Sequence, residues 1–309
     1  MRYSLFVLCA LASVPFFSAC KDAKNKSETK SAQQDIIRGK LRVVVDESVL
    51  PIMSDQVTVF ESSYTNSEIE LVSLPEIKAI NYLLKDSANT AVLTRKLSTQ
   101  EEAYFLSRQI TPRIYQFATD ALVFIKNNAQ PDTSLHLQSV KDLLSGKNSF
   151  EHGKLVLDNA NGANLRLLKE HFKLDSVSSA GLAAVKTSEE VLRYISENPA
   201  AVGVVSLTWI LQAGKKNAQY LDKIRTLSIQ NEQDGKFYKA NQTTIALNKY
   251  PLLHPLYILN YQASQGLGVG FSSFVTGERG QRMILKAGIL PQTIPGREII
   301  IRDEESIIK

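Results

Sequence analysis

Short β-branched runs alternate with helix-like segments, and this alternation constrains the fold more than any other feature of the chain. "KLRVVVD" reads as a strand, and the stretch from there to about Ser63 reads as a helix. "EIELVSL" is a second strand, followed by a helical "IKAINYLLKD". "TAVL" is a third, ending in a Thr-Arg turn. A helix begins near Ser98, where Ser98, Glu101 and Glu102 predict an N-cap with an acidic first turn. "RIYQFATDALVFIKNN" is a long bent strand or a strand pair. Strands that alternate with helices in this way predict an α/β fold with mostly parallel strands.

The middle of the chain repeats this grammar. "LQSVKDLLSGK" predicts a short helix closing on Gly146, and "GKLVLDNANGANLRLLKEHF" predicts strand, turn, helix. "SEEVLRYISENPAAVGVVSLTWI" reads as helix, Pro-containing turn, strand, and "IRTLSIQ" as another strand. "KANQTTIALNKYPLLHPLYILNYQ" reads as a return to long apolar strands. "GLGVGFSSFVTGERGQRMILKAGILP" predicts a closing amphipathic helix interrupted at Gly277 and Gly280. The tail "GREIIIRDEESIIK" holds one further β-type run, and no internal repeat is visible.

The 309 residues suggest about two domains. An apolar fraction of 44% and a charged fraction of 22% are ordinary for a globular protein. The net charge of +5 is mild and dispersed, so nucleic-acid binding is not suggested. Arg2 followed by "LFVLCALASVPFF" has the form of a secretory leader, too short for a comfortable membrane span. "FSAC" resembles a lipobox, with Phe17 where Leu is usual. Residues 1–19 are therefore expected to be a signal peptide and Cys20 a lipidation site. Cleavage there removes Arg2 and takes the charge from +5 to +4. Cys9 falls in the leader, so the mature chain has no disulfide. Residues 20–38 are polar, lack apolar periodicity and read as a tether.

Several strand ends carry groups suited to anions. In "LDNANGANLRLLKEHF" a strand runs through amides and small residues into a helix, an arrangement that presents bare N–H groups at a helix N-terminus. Asn161, Gly162, Ala163, Asn164 and Arg166 are the candidates there. In "DESV", Ser48 is either an N-cap or a hydroxyl donor, beside Asp46 and Glu47. In "LTRKLS", Thr94 and Arg95 follow a strand end. The planar fork of Arg95 suits phosphate or carboxylate, and the alternative is a surface pair with Glu101 or Glu102. His136, His152, His171 and His254 lack metal-ligand spacing. The sequence has no nucleophile elbow and no phosphate loop. No enzyme, no cofactor and no metal is expected.

Taken in order, "VVVDESVLPI", "TAVLTRKLSTQEE", "ATDALVFIKNN", "LDNANGANLRLL", "NPAAVGVVSLTWI", "KYPLLHPLYILNY" and "GLGVGFSSFVTGERGQRMILKAGILP" resemble periplasmic binding proteins of the phosphate ABC-transporter type, in a lipoprotein branch. The resemblance covers roughly residues 39 to 302. It implies a two-lobed type II fold, each lobe a mostly parallel sheet flanked by helices. Lobe one would be 39–124 plus 241–309 and lobe two 125–240, joined by two crossovers, with the ligand in the cleft between them.

The resemblance also implies that Ser48 and the Thr94–Arg95 pair bind phosphate, and that either Asp46 or Glu47 accepts a proton from it. Asp120 would orient Arg95, meet the ligand, or hold the crossover. The implied role is capture of phosphate or a related oxyanion for an ABC permease, by an exported lipoprotein anchored on the periplasmic side or cell surface. One departure weakens this. The family's Ser/Thr-rich turn is Gly162-Ala163-Asn164 here, and each lost hydroxyl removes a hydrogen bond of roughly 0.5–1.5 kcal/mol. The alternative is a diverged scaffold that recognises another ligand or acts as an interaction protein.

Overall fold

The computed structural model describes residues 36–147, 150–212 and 214–296. The expected leader, Cys20, most of the tether and the closing β-type run lie outside these residues. The chain opens with β1 (Gly39–Asp46), a 3-10 turn (Glu47–Val49) and α1 (Leu50–Ser63). Next come β2 (Ser67–Leu74), α2 (Glu76–Leu84), β3 (Thr90–Leu93), α3 (Thr99–Ser107) and the long β4 (Arg113–Asn127). The middle holds β5 (Ser134–Leu135), α4 (Leu137–Leu144), β6 (Leu155–Leu157), α5 (Ala163–Phe172), β7 (Leu182–Ala184), α6 (Ser188–Glu197), β8 (Val202–Ser206), α7 (Leu207–Leu211) and α8 (Gly214–Leu221). The chain continues through β9 (Ile224–Thr226), β10 (Ser228–Gln230), β11 (Phe237–Tyr238), α9 (Gln242–Ala246), β12 (Leu253–Asn260), α10 (Leu267–Thr276), α11 (Glu278–Ala287) and β13 (Leu290–Pro291).

The main sheet runs β2-β1-β3-β12-β4-β8-β6-β7. β1 is parallel to β2 and β3, and β6 is parallel to β7 and β8. The two parallel sets meet through antiparallel β12 and β4. β4 is one strand of 15 residues. Its first part, Arg113 to Ala121, pairs with β12, and Leu122 to Lys126 pairs with β8. Thus β4 belongs to both strand sets.

β1 is covered on both faces, which explains its unbroken Val43-Val44-Val45 run. Val43 and Val45 join the larger apolar cluster with Phe60 and Phe117, while Val44 points to the other face with Leu83, Phe105 and Tyr261. Packing is tight where α6 crosses β8: a Cβ at Gly203 would lie 2.7 Å from Ile195 Cγ1 and 2.8 Å from Val191 Cγ1.

The Ser98 N-cap forms as expected, as a full capping box with Glu101. Two segments depart from the sequence reading. Residues 241–250, read as strand, begin with α9, because Asn241 and Thr244 form a reciprocal capping box that nucleates a helical turn. The closing helix is two helices, α10 and α11, with Gly277 serving as C-cap of one and N-cap of the next.

Candidate functional site

Parallel strands deliver their C-terminal ends to one edge, and helix N-termini follow directly. β1, β2 and β3 end at Asp46, Leu74 and Leu93; β6, β7 and β8 end at Leu157, Ala184 and Ser206. The groups just past these ends meet. Glu76, the first residue of α2, is 2% exposed. Its carboxylate accepts from Arg166 Nε at 2.6 Å, Arg166 Nη2 at 2.8 Å and Thr94 Oγ1 at 2.9 Å. Arg95 Nε lies 3.4 Å from the same carboxylate, and Arg166 Nη2 donates to Thr94 Oγ1 at 2.6 Å. The two strand sets also meet through the backbone, where Ile77 N donates to Asn161 O at 3.2 Å. A side-chain carboxylate therefore receives the donors expected to receive an oxyanion.

Glu47 makes a second such contact. Its carboxylate accepts from Ser188 N at 2.9 Å and Ser188 Oγ at 2.8 Å, at the N-terminus of α6, where the helix dipole favours a negative group. Trp209 Nε1 donates to the Glu47 carbonyl at 3.1 Å, and Thr208 Oγ1 donates to the Ser48 carbonyl at 3.2 Å. Burial, with help from the nearby Asp158 charge, pushes Glu47 up to about 8.

Asp46 caps the 3-10 turn. Its Oδ1 accepts from Ser48 N at 2.9 Å and Ser48 Oγ at 2.8 Å. The capping group is thus Asp46 rather than Ser48, because Ser48 lies inside the turn and its hydroxyl turns back to the carboxylate. Burial and then the Glu76 charge push Asp46 up to about 7. At the start of α5 the Asp158 carboxylate lies beside Gly162, where a Cβ would come within 3.1 Å of Oδ2. Burial pushes Asp158 up to about 6. Asn164 is fully buried near it, and neither amide atom makes a hydrogen bond. Asp46 Oδ2 and Asp158 Oδ1 are likewise buried without a partner.

The remaining candidates are more peripheral. Arg95 forms a two-point pair with Glu101, at 2.7 and 2.8 Å. Asn161 is exposed and closes an Asx turn with Asn159, and Ala163 is buried. Asp120 sits in β4 where its pairing changes from β12 to β8. It accepts from Ala121 N at 2.7 Å and from the Ser206 hydroxyl, and burial raises it to about 6. It touches neither Arg95 nor Arg166 by hydrogen bond. A groove of about 670 Å3 opens beside the Glu76–Arg166 pair, lined by Ile77, Arg95, Lys169, Lys173 and Leu174 among others, and gives the pair a route to solvent.

Sequence reasoning missed Glu76, Ser188, Thr208 and Trp209 as site groups. Glu76 had a signal: it follows a strand end and starts a helix, as do the candidates that were chosen. His254 is buried opposite Asp120 in the β12–β4 ladder with both ring nitrogens unpartnered, and burial holds it down at about 3.

A sheet of two parallel sets joined by antiparallel strands, with polar groups converging past the strand ends, defines a two-set α/β binding fold. The sequence matches the family described as the PBP superfamily domain over residues 28–279, and the chain belongs to that family. Its fold is similar to that of a putative phosphate ABC transporter substrate-binding protein from Clostridium perfringens, at TM-score 0.68 and 16% identity over 82% of this chain and 100% of that one. An ABC-type phosphate transport receptor from Vibrio cholerae aligns at TM-score 0.59 and 18% identity, over 82% of this chain and 100% of that one. The Corynebacterium glutamicum OxyR aligns at TM-score 0.55 and 11% identity, over 84% of this chain and 70% of that one. At such identities the likeness is one of fold, shared by transport receptors and a regulator alike. No curated protein matches the sequence.

Proposed function

We propose that the chain is an exported, lipid-anchored solute-binding protein that takes phosphate or a related oxyanion between two lobes, 39–124 plus 241–309 and 125–240. It would present that ligand to an ABC permease. The mechanism is binding and closure, with no covalent chemistry. The observation that carries the reading is the convergence of Arg166 and Thr94 on one buried carboxylate. An arriving oxyanion would exchange for Glu76 and keep the same charge-assisted donors. The fold shared with phosphate receptors from Clostridium perfringens and Vibrio cholerae supports the same reading.

A second reading is favoured by one observation: the donors are already satisfied. Glu76 fills the anion position, and Asp46, Glu47 and Asp158 lie buried around it. On that reading the protein is a diverged scaffold that excludes inorganic oxyanions and serves as a periplasmic or surface interaction protein. Thermal unfolding of the full chain with millimolar phosphate, sulfate or arsenate separates the two. A ligand at a thousandfold excess over its Kd stabilises the folded state by roughly 4 kcal/mol, a rise near ~10 °C. A phosphate-selective rise supports the receptor. No rise with any oxyanion leaves the scaffold.

A further inference from the structure

We propose that the ligand of this site is a phosphorus oxyanion that also carries a protonated primary amine, an aminoalkyl phosphonate or phosphate. Its oxyanion would lie on Arg166 and Thr94, and its ammonium among Asp46, Asp158 and Asn164. The inference rests on the oxyanion-receptor reading and names which oxyanion.

Three buried acceptor oxygens carry it: Asp46 Oδ2, Asp158 Oδ1 and Asn164 Oδ1 have no hydrogen-bond partner. Their residues are 1%, 2% and 0% exposed, so water does not reach them freely. Buried acceptors left bare are costly and rare in folded proteins. A primary ammonium has three donors and no acceptor, and meets these three oxygens without leaving one over.

Charge points the same way. Asp46, Glu47, Glu76 and Asp158 act on one another electrostatically, and Arg166 is the buried cation among them. Inorganic phosphate brings negative charge alone into this surrounding. A zwitterion brings a compensating cation to the acidic side. Among the described residues no cluster of His, Cys, Asp or Glu is arranged to hold a metal ion, so the compensating charge is assigned to the ligand itself. A quaternary ammonium has no N–H and would leave the three oxygens bare.

The test is isothermal titration of the full chain in mild detergent with 2-aminoethylphosphonate, ethylphosphonate, inorganic phosphate and β-alanine. One charge-assisted contact is worth about tenfold or more in Kd. The expected result is 2-aminoethylphosphonate binding at least that much tighter than ethylphosphonate, with the margin lost in Asp158→Asn and Asp46→Asn. The N-trimethyl form of the ligand should lose the same margin on the unaltered protein, which serves if neither variant folds. Equal binding of phosphate, ethylphosphonate and 2-aminoethylphosphonate would overturn the inference and leave the receptor reading standing. Binding of β-alanine without the phosphonate would overturn the phosphorus assignment. No binding of any of the four would overturn both the inference and the receptor reading.

Discussion

Glu76 and Arg166 meet in a two-point contact, Nε to Oε1 at 2.6 Å and Nη2 to Oε2 at 2.8 Å, across the two strand sets. This pair is a ligand-like contact made by the protein itself. Breaking such a pair strands its partner. Glu76→Ala should destabilise the protein by about 2–3 kcal/mol, below the figure for a fully buried pair because Arg166 keeps some exposure. Added phosphate or sulfate should restore much of the loss by occupying the freed donors. Urea unfolding with and without the anion measures both effects, and a variant as stable as the parent would remove the pair from the account.

Arg95 and Arg166 should differ sharply on substitution. Arg95 is tied to Glu101 on a partly exposed surface, so Arg95→Ala should cost about 1 kcal/mol or less. Arg166→Ala leaves the Glu76 carboxylate buried with Thr94 and a distant Arg95, and should cost at least twice as much. Paired melting curves decide the order.

Stability should fall as pH rises from 6.5 to 8.5. Asp46 is held up at about 7 and Glu47 at about 8, so the folded state keeps protons that the unfolded chain has released. A group with a raised folded pKa contributes stability below its unfolded value and loses it as pH climbs through the folded one. His254, held down at about 3, acts in the opposite direction, but only as pH falls below the ordinary histidine value of roughly 6.5. The window above that is left to the carboxylates. Glu47→Gln, which keeps an oxygen for Ser188, should flatten the profile. A Tm that is level or rising across the window would contradict the burial of protonated acids.

Gly203→Val should destabilise by about 1–3 kcal/mol through overpacking. Its Cβ alone would press on Ile195, Val191 and, at 2.9 Å, Ile125 Cγ1. Denaturant midpoints at unchanged slope would report this as a loss in the folded state.

Most of the architecture was legible because local signals agree with it. The Val43-Val44-Val45 run, the Ser98–Glu101 capping box and the Thr187-Ser188 entry to α6 each mark an element where the structure has one. The α9 turn was not legible from apolar pattern, since its cause is a side-chain cap in a segment rich in strand formers. The site was half legible. Strand-end groups such as Asp46, Thr94 and Arg166 could be picked out by position. Their partners could not, because Glu76 and Arg166 are brought together by chain reversal over 90 residues, and nothing local in "SLPEIKAI" announces an ion pair. The carboxylates read as flanking an anion turn out to be buried and bare on one oxygen, a property of packing rather than of composition.

β4 has a further consequence. One set of strands grips it up to Ala121 and the other from Leu122 onward, with the Tyr250 hydroxyl bonded to the Leu122 carbonyl at 3.0 Å at the handover. Two bodies joined by a slack linker drift freely apart. Two bodies clamped to one hydrogen-bonded ribbon turn against its torsional stiffness. Any separation of the strand sets here winds or unwinds β4 about its own axis, so the ribbon stores the displacement and returns it, as a torsion bar does.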